Sequence, residues 1–241
     1  MIIYPAIDIF EGKAVRLLRG DYSQMTVYSD SPASVAASFA SDGATHLHIV
    51  DLEGAAEGRE ANFDTVHEVI ETCRLFTEVG GGIRSGETIE KYLSAGASRV
   101  ILGTAATENF DWLTDIVREY GEKIAVGVDI RDKKVAVRGW RETTDCDCYE
   151  FCGRFESVGV KTIICTDISR DGAMRGTNRE LYRELSEKFG MDIIASGGVS
   201  TLEDVKALTA LNIHGAIIGK ALYTGNIKLS DAIKLAAREC L

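Results

Sequence analysis

The chain repeats itself, and the repeat leaves few folds open to it. Residues 79–106, VGGGIRSGETIEKYLSAGASRVILGTAA, read as strand, triple-glycine turn, helix, strand and a second glycine turn at Gly103-Thr104. Residues 194–223 run through the same order, with Gly197-Gly198 where Gly81-Gly82 stood and Gly219-Lys220 where Gly103-Thr104 stood, each 116 residues on. The same offset carries Gly43 onto Gly159 and Asp51 onto Asp167, so that HLHIVDL matches TIICTDI as a strand after a helix-ending glycine. Farther back, PAIDIFEGKAVRLLRG resembles VGVDIRDKKVAVRGW, with Asp8 above Asp129 at an offset of 121 and a five-residue difference in loop length. The chain reads as an internal duplication with halves of about 1–120 and 121–241.

Each half contains four strand-helix units. In the first, strands are expected over 2–8, 45–51, 75–79 and 99–102, and helices over 32–42, 62–74, 86–95 and 109–120, the first, second and fourth helices capped by Ser31, Asn62 and Asn109. In the second, strands are expected over 123–129, 162–167, 192–195 and 215–218, and helices over 146–158, 178–189, 202–211 and 228–239. Short extended excursions follow the first strand of each half, at 13–18 and 135–140. The strands are short and almost wholly apolar, which means burial on both faces in a parallel sheet covered by helices. Eight such units close best into a (β/α)8 TIM barrel of two duplicated (β/α)4 halves, which explains the matched glycine turns better than an open doubly wound sheet. No Pro/Ser-rich or charged linker divides the 241 residues, so a single domain is expected.

A net charge of −10 disfavours a broad nucleic-acid or anionic-membrane surface, so an anionic ligand has to be held by local features. No apolar run reaches the length of a membrane span, and the start MIIYPAIDI lacks the pattern of a signal peptide, which suits a cytoplasmic protein. Six cysteines call for a metal check. Cys146, Cys148 and Cys152 lie close together, but their spacing lacks a second ligand pair, and reduced thiols on a helix are the expectation. No metal is expected.

In a barrel of this kind, functional groups gather at the C-terminal ends of the strands. Gly80, Gly81 and Gly82 let backbone amides approach a ligand closely, and amides opening a helix make a natural seat for a phosphate. The repeat supplies two such seats. Asp8 ends the first strand and Asp129 the fifth, so two carboxylates face each other across the mouth, an arrangement suited to general acid and general base work on one molecule. A strand-end aspartate is often only a cap or turn former, and the matched positions are what favour chemistry here. Thr166, Asp167 and Asp171 follow the sixth strand, where a hydroxyl could hold a reacting sugar and Asp171 could orient a loop, with ordinary capping an even alternative. Arg16 and Trp140 sit on the excursions, where an arginine can clamp phosphate and a tryptophan can stack on a planar heterocycle. His48 and Arg84 are candidates of lower rank. The site then suits a long molecule phosphorylated at both ends, with proton transfer between the two acids.

PAIDIFEGKAVRLLRGDY, HLHIVDLEGA, VGGGIRS, VILGTAA, VGVDIRDKKVAVRGW and TDISRDGAMRG together carry a resemblance that spans the chain. It resembles the isomerases of histidine biosynthesis that convert phosphoribosylformimino-aminoimidazole carboxamide ribotide (ProFAR) from aminoaldose to aminoketose. That resemblance implies a half-barrel-duplicated (β/α)8 enzyme, needing neither metal nor organic cofactor, that performs an Amadori rearrangement on a small bis-phosphorylated molecule. It implies Asp8 as the general base at C2′, Asp129 as the general acid for ring opening, and Thr166 beside the reacting ribose. It also implies Gly82, Gly103 and Thr104 as one phosphate seat, with Gly176, Gly198, Gly219 and Lys220 as the other. Lys220 stands where many relatives carry arginine, and supplies charge without a bidentate fork. A monomer is expected, with no nucleic-acid or membrane partner. The alternatives are a dual-substrate relative that also takes phosphoribosyl anthranilate, the sister cyclase that makes imidazole glycerol phosphate, and a silent phosphate-binding sensor. PAID and VRGW stand against the cyclase, and the presence of both aspartates stands against the sensor.

Overall fold

The computed structural model describes residues 1–137, 140 and 142–237. Eight parallel strands form a closed ring: β1 (Ile2–Phe10), β2 (His46–Asp51), β3 (Phe76–Gly80), β4 (Arg99–Leu102), β5 (Ile124–Arg131), β6 (Thr162–Asp167), β7 (Asp192–Ser196) and β8 (Gly215–Ile218). Each pairs with the next in order, and β8 returns to β1 through the register Ile2 to Gly215 and Pro5 to Ile218. The (β/α)8 barrel expected from the sequence is therefore the fold. Its closure leaves none of these eight strands with an unpaired edge.

Strand residues alternate between two apolar environments, which is why the sequence runs show no polar face. Tyr4, Ala6, Ile101, Ala125, Ile164, Ile194 and Ile217 fill the barrel interior, while a larger cluster fills the layer between strands and helices. Helix Phe63–Cys73 shows how the outer layer is secured. Val66, Val69, Ile70 and Cys73 recur at helical spacing and are all buried, and burying each branched side chain is worth roughly 1.5 to 3 kcal/mol. Helix Phe110–Tyr120 does the same with Leu113, Ile116 and Val117.

Several local expectations are corrected. Asn62 precedes its helix but makes no side-chain cap bond. Its Oδ1, the atom a cap would use, accepts instead from Gly12 N at 2.9 Å, while its amide donates to Asp51 Oδ1 and Glu53 Oε2, both at 2.8 Å. Ser31 and Asn109 do cap, accepting from Ser34 N and Trp112 N. The triple-glycine turn does not itself open a helix. Helix Gly86–Ser94 begins later, capped by Ser85. Both excursions are two-stranded. Lys13–Leu18 pairs antiparallel with β1 and with Asp21–Ser29, and Lys134–Val137 pairs with β5 and with Glu142–Asp147. The helix expected over 146–158 thus starts at Cys148, since Asp147 ends the hairpin and caps the helix. Arg138 and Gly139 of the second excursion, and Cys240 with the end of the last helix, lie outside the described residues.

Candidate active site

A cavity of about 270 Å³ opens at the C-terminal end of the barrel. Asp8, Arg16, His48, Gly81, Gly82, Arg84, Gly103, Thr104, Asp129, Trp140, Thr166 and Asp171 all line it. A smaller void of about 30 Å³ adjoins, bounded by Gly198, Gly219 and Lys220 and sharing Arg16 and Asp171 with the first. Of the candidates named from the sequence, Asp167 and Gly176 bound neither void; Asp167 accepts instead from Ser169 N and the Asn178 amide, as a loop-holding side chain. The Gly176 carbonyl oxygen lies where a Cβ on Gly198 would fall, so Gly176 packs behind the second seat.

The barrel register places the two carboxylates. Asp8 lies opposite Val15 in the first hairpin, which brings the next residue, Arg16, alongside. Arg16 Nη1 is 2.8 Å from Asp8 Oδ1. Burial pushes the Asp8 carboxyl up, against the pull of Arg16 and His48. Asp129 lies level with Thr166 on the neighbouring strand. Burial pushes its carboxyl up to about 6, opposed by hydrogen bonds from Trp140 and Thr166 and reinforced by nearby Asp171. Among the described residues, one acid thus stands beside a cation and the other does not. Asp171, pushed up by burial and held down by Arg16 and Lys220, closes the ring of three carboxylates.

Glycine at the first seat has a sharper reason than access to a ligand. Gly81 and Gly82 have φ values of 107° and 73°. A Cβ on Gly81 would land on the carbonyl oxygen of Asp51, and one on Gly82 on that of Arg59. These glycines let the turn nest against the loop after β2. Gly103 is the one left bare, with nothing within 4 Å of its Cβ position. Trp140 roofs the cavity, its ring against Gly20, where a Cβ would strike the indole.

Sequence reading passed over what lies beneath. His48 Nδ1 is 2.7 Å from Glu78 Oε1, and Glu78 Oε2 receives Arg99 at 2.6 Å. Arg99 also donates to Tyr4 and Thr162 across the barrel. The available signal was a charge inside otherwise apolar strands, at Glu78 and Arg99. Tyr223 was also missed. It donates to the Ala6 carbonyl at 3.0 Å and faces Arg16. Cys148, Cys152 and Cys165 are buried free thiols, and among the described residues no three His, Cys, Asp or Glu side chains are grouped to hold a metal.

The family described as histidine biosynthesis protein matches residues 2–228. A Ruminiclostridium cellulolyticum protein named 1-(5-phosphoribosyl)-5-((5-phosphoribosylamino)methylideneamino)imidazole-4-carboxamide isomerase is 50% identical over 233 residues, covering 97% of this chain and 99% of its own. Proteins of the same name from Brachyspira hyodysenteriae and Oceanobacillus iheyensis are 48% and 49% identical, covering 98% and 97% of this chain and 99% and 98% of their own.

Proposed function

The chain belongs to the histidine biosynthesis protein family, and from that membership we propose that it catalyses the Amadori rearrangement of ProFAR with Asp8 and Asp129 as its acid-base pair. It is an isomerase, as its relatives' names state of them. The observation that carries the assignment of roles is the difference between the two acids sharing one cavity. Asp129 keeps a proton up to about pH 6 because burial outweighs its two hydrogen bonds and, among the described residues, no cation offsets it. It is therefore the donor to the ring oxygen, which leaves as a hydroxyl while the anomeric carbon becomes the imine carbon. Asp8, with Arg16 beside it, is the base that then takes the C2′ proton, giving an enaminol that closes to the ketone when C1′ is protonated. Thr166 holds the Asp129 carboxyl and the reacting ribose. Gly82, Gly103 and Thr104 take one phosphate, and Gly198, Gly219 and Lys220 the other. Trp140 covers the heterocycle.

The reading includes a cytoplasmic monomer with no organic cofactor or metal, a small-molecule substrate, and halves of about 1–120 and 121–241. Among the described residues no helix is long and apolar enough to cross a membrane. The purified protein should isomerise ProFAR, and Asp8→Asn should lose turnover while still binding the substrate. Turnover persisting in Asp8→Asn would remove its role as base, and absence of any reaction with ProFAR in the wild type would end the assignment. Phosphoribosyl anthranilate in a parallel reaction decides whether a second substrate is taken.

A further inference from the structure

The second seat is not ready for a phosphate. Its void of about 30 Å³ has room for a water or two, too little for a phosphate group. The Arg16 guanidinium fills the rest: a Cβ on Gly219 would fall on its Nη2 and lie 3.0 Å from its Nε. Arg16 is only 8% exposed, and its Nε and Nη1 have no hydrogen-bond partner among the described residues. Nη1 approaches Asp8 as an ion pair without the alignment of a hydrogen bond. A buried guanidinium with unspent donors is a strong site for a dianion, which it grips with two parallel bonds. Gly103, 116 residues before Gly219, has open space at the same position and fronts the large cavity.

We propose that Arg16 is a latch shared between Asp8 and the second seat: with the seat empty it holds the Asp8 carboxylate, and a phosphate entering at Gly198, Gly219 and Lys220 draws it away. The base is then freed only when the far end of the substrate is in place, which makes Arg16 a positioning residue for Asp8. The inference rests on the reading of that seat as a phosphate site. Arg16 faces Asp8, Asp171, Tyr223 and Tyr28. Asp8 faces Arg16 and His48, with Asp171 close by. Asp171 also faces Lys220, whose ammonium donates to the Gly172 carbonyl at 3.1 Å. Of these, Arg16 is the cation in direct contact with Asp8. Its departure leaves His48 as the remaining positive influence, so the carboxylate gains proton affinity and becomes the stronger base.

The test titrates the full-length protein, carrying carbon-13 at the aspartate side-chain carboxyls, with inorganic phosphate, the Asp8 signal being assigned by its loss in Asp8→Asn. Amide shifts of Gly198, Gly219 and Lys220 report the second seat, and those of Gly82, Gly103 and Thr104 the first. As the second set saturates, the Asp8 titration midpoint should rise by about one pH unit, a tenfold gain in proton affinity. In Arg16→Gln the midpoint should already be raised and phosphate should not move it. Saturation of the second set with an unmoved Asp8 midpoint in the wild type overturns the latch and leaves the phosphate seat standing. No response at Gly198, Gly219 and Lys220 overturns both.

Discussion

Asp51 and Asp167, at matched places in the two repeats, hold their loops in the same way. Asp51 accepts from Gly54 N and from the Asn62 amide, each at 2.8 Å. Asp167 accepts from Ser169 N at 3.1 Å and from the Asn178 amide at 2.7 Å. The glycine turns of the next strands pack onto the backbones of these same aspartates, Gly81 on Asp51 and Gly197 on Asp167. Above this shared wiring the two sides part. The first seat opens onto the large cavity, which Arg84 also lines, whereas the second is filled by Arg16, which also touches Asp8. Among the described residues Asp129 has no such partner. The lesson is that backbone contacts set where a site stands, and one or two side chains reaching in from an excursion set what each half of it does.

The largest expected difference is in turnover. Asp8→Asn and Asp129→Asn should each lower kcat by about 10³-fold or more, within the range for loss of an acid-base group at its strong end. Rates within tenfold of wild type for either would mean that the two acids do not divide the work.

The nested turns come next. Gly81→Ala forces a β-carbon into the Asp51 carbonyl at a φ of 107°, and should cost on the order of 3 to 4 kcal/mol in urea denaturation. Gly197→Ala meets Asp167 O at 2.6 Å with φ at 90° and should cost less. The reverse order would show that the second turn is the more tightly seated.

The two acids should then differ in how much stability each costs at high pH. Asp129 holds its proton to about pH 6 when folded, and the unfolded chain releases it near ~3.9. Its favourable contribution is thus complete below about pH 4 and is lost as pH rises through about 6, leaving the ionised form at a cost of roughly 2 to 3 kcal/mol. Asp129→Asn should therefore stabilise the protein by about 2 kcal/mol at pH 8 and by little at pH 4. Burial raises the Asp8 carboxyl too, but Arg16 and His48 offset part of that cost, so Asp8→Asn should stabilise at pH 8 by less than Asp129→Asn does. Denaturation of both variants at the two pH values decides it, and a loss of stability in Asp129→Asn at pH 8 would contradict the uncompensated burial.

The smallest effect concerns the amides. Asn62→Ala removes bonds to Asp51 and Glu53 and the acceptor for Gly12 N, and should cost about 2 kcal/mol against about 1 for Asn178→Ala. Equal losses in thermal unfolding would mean the extra bonds of Asn62 add nothing.

Much of this was legible because it is local or periodic. Eight apolar runs separated by amphipathic helices specify strands buried on both faces, and a spacing of 116 residues between glycine turns specifies that the turns recur around one rim. Asp8, Asp129, Thr166, Gly103 and Gly219 could be named because strand ends in such a barrel point to one mouth. Asn62 stands at the start of its helix but does not cap it, because its Oδ1 accepts from Gly12 N, an amide 50 residues away that only folding brings within reach. Glu78 and Arg99 each show as a charge within an apolar strand, but nothing in either strand says that the two are paired, since the pairing arises only when the strands lie side by side.

By itself the sequence determined the barrel, its repeat and the residues crowded at its mouth, since these follow from hydrophobic period, turn chemistry and strand order. The tertiary structure alone decided that Arg16 reaches Asp8 and fills the second seat, that Asp129 is buried against Trp140 and Thr166, and that Gly81 is required by the Asp51 carbonyl. Those outcomes depend on distances between segments far apart in the chain. A long arginine side chain can satisfy its sequence neighbourhood in many ways, and only the packed barrel selects one.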